Sequence, residues 1–271
     1  MQKTLIAAAL ASALTLPALS AHAEEEPASP HTFTGNVGLF SQYVFRGISQ
    51  TNEDPALQGG FDYSHASGFY IGTWASNISW LSDSETVTGY RSSSLEVDVY
   101  GGYRGAFGDT GVTYDVGLLQ YVYPGSHSKT LSPTSVKADT TEAYAAIGWK
   151  FLSAKYSYSL GDTFGVNDAS GTWYLDLQAN YPITESLTLN VHYGIQEFNG
   201  SSAACASGKN DDCASYEDWK IGLSYALPQS FTVGAYYTDT SMNSTQKAFY
   251  TNASGKFLGD DQYVVFLSKT F

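Results

Sequence analysis

From Phe33 to Phe271, apolar and polar residues alternate with a period of two, interrupted by clusters of Gly, Ser, Asn, Asp and Pro. Successive side chains of a strand point to opposite faces, so this pattern predicts strands with one greasy and one wet face. The stretch LTLNVHYGIQ (187–196) is the clearest case: Leu187, Leu189, Val191, Tyr193 and Ile195 share one face, and Thr188, Asn190, His192, Gly194 and Gln196 the other. Segments 95–104, 143–151, 173–181 and 219–227 alternate in the same way, and no segment carries a convincing helical stripe. The whole chain reads as twelve strands, near 34–47, 56–64, 69–79, 94–104, 111–122, 141–151, 154–161, 171–181, 187–197, 216–227, 231–239 and 261–271. The facing of 69–79 stays open, because Phe69, Tyr70, Ile71 and Trp74 populate both sides.

The connections alternate in length. Short ones (65–68, 105–110, 152–153, 182–186, 228–230) would all fall on one rim, and the longer polar ones (48–55, 80–93, 123–140, 162–170, 198–215, 240–260) on the other. Outer-membrane barrels have this asymmetry, with short periplasmic turns and longer extracellular loops. The expected fold is therefore all-β: a closed antiparallel up-and-down transmembrane barrel with both termini on the short-turn side. In lipid no strand edge can stay unpaired, which is why the sheet must close.

Composition sharpens this. Charged residues make up 14% and aromatics 15%, with 21 Tyr; soluble domains carry about 25% charge. The apolar faces of the clear strands are almost free of charge, and a lipid-facing Lys or Arg at the midplane costs roughly 2–4 kcal/mol. Charges fall instead on the wet faces: Arg46, Asp62, Glu96, Asp98, Arg104, Asp115, Glu142, Lys150, Lys155, Asp176 and Lys220, with His192 among them. These are the candidate lumen or constriction residues. Arg46 is expected to face inward below the first loop, as a constriction or in a wall ion pair with a neighbour such as Asp62. Aromatics on the apolar faces gather toward strand ends (Tyr43, Phe45, Tyr63, Tyr103, Phe151, Trp173, Tyr181, Tyr193, Trp219, Tyr225, Phe231, Phe271), as two interfacial girdles would. The final strand puts Tyr263, Val265, Leu267 and Phe271 on one face, with Lys269 placed to snorkel at the rim. A terminal aromatic of this kind resembles the signal read by the bacterial barrel-insertion machinery.

The formal charge of −13 and the lack of any basic run exclude nucleic acid as a partner. At the N-terminus, Lys3, the apolar run Leu5–Leu16 and Ala21-His22-Ala23 form a secretory signal, with cleavage expected after Ala23. Residues 24–32 read as a flexible acidic leader and 33–271 as the barrel. In an oxidising compartment the two cysteines, Cys205 and Cys213, read as a local disulfide stapling the 198–215 loop. The scattered histidines show no metal-ligand spacing, and no cofactor is expected.

The run YVFRGISQTNEDPALQGGFDYSHASGFYIGTWASN (43–77) resembles the N-terminal signature of the TorF-type porins, the Gcw_chp family of proteobacterial outer-membrane proteins. The resemblance implies an outer-membrane protein of porin type and no known substrate. Twelve strands lie between the filled eight-stranded barrel and the wide sixteen-stranded channel. The expectation is a narrow channel, monomeric, passing or binding small hydrophilic solutes, with mild cation preference from its acidic wall and loops. The rival readings are a sealed structural or adhesive barrel and a barrel lipid-modifying enzyme. No G-x-S-x-G element is present, and His192 lies mid-strand, away from acyl chains, so no enzyme activity is expected.

Overall fold

The structure is a computed structural model that describes residues 29–271. The segment expected to be a signal peptide and most of the expected acidic leader lie outside the described residues. In chain order the strands are β1 (His31–Phe40), β2 (Val44–Phe45), β3 (Ile48–Ser49), β4 (Ala56–His65), β5 (Phe69–Asn77), β6 (Leu95–Ala106), β7 (Val112–Val122), β8 (Thr140–Trp149), β9 (Leu152–Ser159), β10 (Trp173–Pro182), β11 (Leu187–Glu197), β12 (Tyr216–Leu227), β13 (Phe231–Ser241) and β14 (Gln262–Thr270). Twelve of them form a closed antiparallel barrel in which each strand pairs with its sequence neighbour and β1 pairs with both β4 and β14. The remaining two, β2 and β3, form a small separate hairpin. Four short helices, α1 (Trp80–Asp83), α2 (Glu85–Thr88), α3 (Asn210–Ala214) and α4 (Ser244–Phe249), sit in the loops. Among the described residues no helix is long and apolar enough to cross a membrane.

The alternation places its two faces as the sequence predicts. Leu177, Val191, Ile221, Leu223, Val233, Val265 and Leu267 are exposed on the outside of the barrel. An apolar belt of this extent around a single barrel calls for hydrocarbon rather than water. The ambiguous strand resolves cleanly: Phe69 and Ile71 face out, while Tyr70, Trp74 and Ser76 face in. Tyr263, Val265 and Leu267 of β14 and Phe271 just after it are exposed on the outside, and Lys269 lies over the rings of Phe231 and Phe271 at 4.8 and 5.0 Å, a cation–π seat at the rim. Because Val191 stands mid-strand between Ala179 and Ile221 on this outer face, Val191→Asp is expected to destabilise the barrel in lipid. The cost should fall below the roughly 2–4 kcal/mol of a midplane Arg. Urea unfolding in lipid vesicles reads it.

Two sequence expectations are corrected here. The first strand ends at Phe40 rather than running to 47, so Tyr43 and Phe45 belong to no outer girdle; both lie inside the barrel. Lys150 is not a lumen residue. The turn between β8 and β9 consists of Lys150 and Phe151, since Trp149 pairs with Leu152. Lys150 is therefore exposed at the turn rim, with its ammonium 4.2 Å from the Trp149 ring centroid.

Candidate functional site

The inward side chains grade from buried at the loop rim to half-exposed at the turn rim. Along β6 the inward series is Glu96 and Asp98, both buried, then Tyr100 and Arg104, both partly exposed. The inward series of β12, Tyr216, Asp218, Lys220 and Ser224, follows the same order, as does that of β13, Thr240, Thr238, Tyr236 and Thr232. The lumen thus opens toward the turn rim as a vestibule and is closed at the loop rim.

The closure is the chain between β1 and β4. After Phe40 it turns into the barrel, forms the β2–β3 hairpin, and returns to the wall at Ala56. Its tip is Arg46-Gly47, with φ of 48° and 78°. Positive φ at both central residues defines the tight hairpin turn that strand twist favours. Glycine is required at 47: a Cβ there would lie 2.7 Å from both Asp218 Cβ and Thr240 Cγ2. Arg46 itself pays about 1–3 kcal/mol for its left-handed backbone.

That strain is offset by what the guanidinium reaches. Both Nη2 contacts to Glu142 on β8 are short (2.8 and 2.9 Å), and Nη1 donates to Gln196 Oε1 on β11 at 2.8 Å. The Arg46 and Glu142 side chains are only 7% and 2% exposed. Arg46 also lies over the ring of Tyr174 at 4.3 Å and of Phe45 at 4.8 Å. The tip carbonyls are held too: Tyr216 Oη donates to Arg46 O at 2.8 Å and Gln262 Nε2 to Gly47 O at 3.3 Å. Around the hairpin, Tyr43, Tyr121, Tyr123 and Tyr90 build an aromatic core with Ile78 and Leu81, flanked by Phe45, Trp74, Trp80 and Phe164. The hairpin's outer ends are tied to the loops, through Ser49 N donating to Leu258 O at 2.8 Å and Lys256 Nζ pairing with Glu53 at 2.7 Å.

Below the hairpin the vestibule holds two polar groups. On β10–β12, His192 lies between Asp176 (Nδ1, 2.8 Å) and Asp218 (Nε2, 2.8 Å), with Tyr174 Oη 3.0 Å from Nε2 and donating to Asp218 at 2.9 Å. Only an imidazolium donates from both nitrogens to two carboxylates at once. On β4–β9, Tyr100 donates to Asp62 at 2.7 Å and Tyr70 to Asp115 at 2.6 Å, and the Tyr70 and Tyr144 hydroxyls are in contact. Arg104 lies over Tyr70, Lys155 over Tyr144 and Lys220 over Tyr236.

The structure brings Asp62, Glu96, Asp98, Arg104, Asp115, Asp176, His192 and Lys220 to the inward face. Arg46 is inside as well, but on the hairpin rather than the wall, and its partner is Glu142, not Asp62. Sequence reading missed Asp218, although it shares the period of Lys220, and it did not single out Gln196, which it placed on the wet face, or the inward tyrosines, which alternation alone takes for strand filling. With Lys150 removed and Asp218 added, seven carboxylates (Asp62, Glu96, Asp98, Asp115, Glu142, Asp176, Asp218) face four Lys/Arg (Arg46, Arg104, Lys155, Lys220) across the interior.

The loops form a continuous cover over the closed end. Cys205 and Cys213 are joined in a disulfide with Cα atoms 5.7 Å apart, and they pack with Phe198, Val166 and α3. The loops after β5 and β7 meet at Tyr90 and His127, whose rings are 5.2 Å apart, and His127 Nε2 is 2.9 Å from Ser135 Oγ. Burial, and then the neighbouring charges of Lys129 and Lys137, hold the His127 pKa below its ordinary 6.5. A histidine with a depressed folded pKa stabilises the fold above its unfolded pKa and loses that contribution as pH falls. Amide exchange in 123–138 is therefore expected to quicken on acidification from about pH 7 to 5, with the barrel strands unchanged, and His127→Gln should flatten this response.

A closed twelve-stranded antiparallel barrel with an apolar outer belt is the architecture of outer-membrane β-barrels. The sequence profile of Gcw_chp, described as a bacterial protein of unknown function, matches residues 24–271, and the chain belongs to that family. No curated protein matches it in sequence. Among solved structures it is similar to the NanC porin (13% identity, covering 88% of this chain and 99% of that one, TM-score 0.51) and the KdgM porin (10% identity, 88% and 99%, TM-score 0.50). At these identities the likeness is one of fold.

Proposed function

We propose that the protein is an outer-membrane channel of porin type that passes or binds small hydrophilic solutes, with mild cation preference, and that segment 41–55 is its gate. The observation that carries this reading is a polar, charge-lined vestibule stopped at one end by a discrete hairpin of the same chain, docked through side chains rather than woven into the wall. A permanently filled barrel needs no such segment, because wall side chains alone fill a small lumen. The excess of inward carboxylates over Lys and Arg favours cations. In this reading the termini and short turns face the periplasm, the loops face outward, the barrel acts as a monomer in outer-membrane lipid, and the last strand is read by the insertion machinery after signal cleavage.

The test is reconstitution in a planar bilayer under a KCl gradient. Channel steps with a cation-selective reversal potential are expected; an anion-selective reversal overturns the preference. The second reading, a sealed structural barrel, draws on the docked hairpin itself. Absence of steps both in the wild type and in a variant with a released hairpin would establish that reading instead.

A further inference from the structure

Of the seven inward carboxylates, six accept a hydrogen bond from the protein: Asp62 from Tyr100, Glu96 from Tyr43, Asp115 from Tyr70, Glu142 from Arg46, Asp176 from Gln178 and Asp218 from Tyr174. Asp98 is the exception. The residue is 9% exposed, and its buried Oδ1 has no hydrogen-bond partner among the described residues. A buried carboxylate oxygen without a donor forfeits its hydration for nothing, so its retention calls for a partner that the chain does not supply. The inward cations are engaged elsewhere: Arg46 by Glu142 and Gln196, Arg104 by the Tyr70 ring, Lys155 by the Tyr144 ring and Lys220 by the Tyr236 ring.

The surroundings narrow the missing partner. Glu96, two residues earlier on the same face of β6, adds a second carboxyl group with 1% exposure. In register with Asp98 stand Trp74 on β5 and Tyr121 on β7, both inward. Tyr43, which donates to Glu96 at 2.7 Å, meets the Trp74 ring edge-on with centroids 5.4 Å apart. A divalent ion asks for six or more oxygens from carboxylates, carbonyls and waters, whereas Trp74, Tyr43 and Tyr121 make these surroundings mainly aromatic. Carboxylates set between aromatic rings are the chemistry that holds an organic ammonium, whose charge pairs with the acid while its carbon substituents lie on the ring faces.

We propose that Asp98, with Glu96, Trp74 and Tyr121, is a binding subsite for the ammonium group of a small organic amine, entered from the vestibule and lying directly against the closed end of the lumen. This rests on the reading of the lumen as a solute path and names the solute class. Entry from the vestibule follows from the burial gradient of β6, which falls from Glu96 through Asp98 to the partly exposed Tyr100 and Arg104.

Calorimetric titration of the folded barrel in detergent with n-butylammonium tests it, with 1-butanol as the neutral isostere. Saturable binding of n-butylammonium and none of 1-butanol is expected. Asp98→Asn should weaken binding at least tenfold, Asp115→Asn much less, and Asp109→Asn in an exposed turn should leave it unchanged. No binding to the wild type overturns the proposal, as do equal losses in Asp98→Asn and Asp115→Asn. Displacement by K+ at concentrations comparable to the amine also overturns it. The wild-type comparison of amine with alcohol stands even if a variant fails to fold. Calorimetry needs no conduction, so channel steps in KCl without n-butylammonium binding overturn this inference alone, whereas binding with no steps in either the wild type or a variant with a released hairpin overturns the channel reading alone.

Discussion

Replacing Arg46 with alanine should convert a mostly closed channel into a mostly conducting one. The guanidinium is the only positive group that reaches Glu142 within ion-pair distance among the described residues, and the carboxylate it leaves behind is 2% exposed. Breaking a buried pair by removing one partner costs about 3–5 kcal/mol, chiefly because the other charge stays buried and uncompensated. Here the cost falls on the docked state of the hairpin, since an undocked hairpin would let water reach Glu142. Each ~1.4 kcal/mol is a tenfold change in the equilibrium, so the closed-to-open ratio should fall by about two to three and a half orders of magnitude. Single-channel open probability in KCl is the readout, with barrel integrity followed by heat-modifiable gel mobility. Adding Glu142→Ala to Arg46→Ala should restore much of the closure, because it removes the stranded charge that penalises the docked state, though not the lost contact. An open probability equal to wild type for Arg46→Ala, with the barrel folded, would show that the hairpin is held by other contacts and is not latched by this pair.

Gly47→Val should give the same conducting phenotype by a steric route. The backbone at 47 has φ of +78°, which a β-branched residue adopts only under strain, and the added Cβ meets Asp218 and Thr240 at 2.7 Å. Strain of about 1–3 kcal/mol adds to an overpacking cost of similar size. Both contacts are to wall residues on β12 and β13, so the hairpin can relieve them by leaving the wall. Gly108 provides the comparison: its φ is +53°, but nothing lies within 4 Å of its Cβ position in the turn before β7. Gly108→Ala should leave conductance unchanged, while Gly47→Ala should fall between it and Gly47→Val. If Gly47→Val keeps the wild-type conductance, the tip is not seated against β12 and β13 in the membrane.

The two variants share an endpoint but not a cause, which makes their comparison informative. Arg46→Ala removes an attraction and leaves a charge; Gly47→Val adds a repulsion and leaves the ion pair chemically possible. High salt screens exposed charge far more than buried charge. The phenotype of both should therefore persist at raised ionic strength, unlike any effect of losing the half-exposed Lys256–Glu53 pair.

Most of the barrel was legible in the residues. Alternation along LTLNVHYGIQ assigned Val191 to lipid and His192 to the interior because a side chain facing hydrocarbon and one facing water differ in polarity at every second position. The alternation of short and long connections ordered the rims, since a hairpin turn needs few residues wherever the next strand is adjacent. The last strand declared its outward face through Tyr263, Val265 and Leu267. These are local facts, written within ten residues of the position they decide.

The hairpin could not be read that way. Tyr43, Phe45 and Gly47 alternate with Val44, Arg46 and Ile48 as a strand does, so the segment reads as the end of β1. Period two reports shielding from lipid, and a residue folded into the lumen is shielded as fully as one on the inner wall. What turns the chain inward is the company waiting there: Glu142, 96 positions away, Gln196, 150 away, and Gln262, 215 away. The sequence by itself determined a twelve-stranded ring with an oily outside and an acidic inside. Only the closed ring brings Arg46 to Glu142, sets His192 between Asp176 and Asp218, and leaves Asp98 without a donor, because these pairings are distances across a lumen that exists only once β1 has met β14.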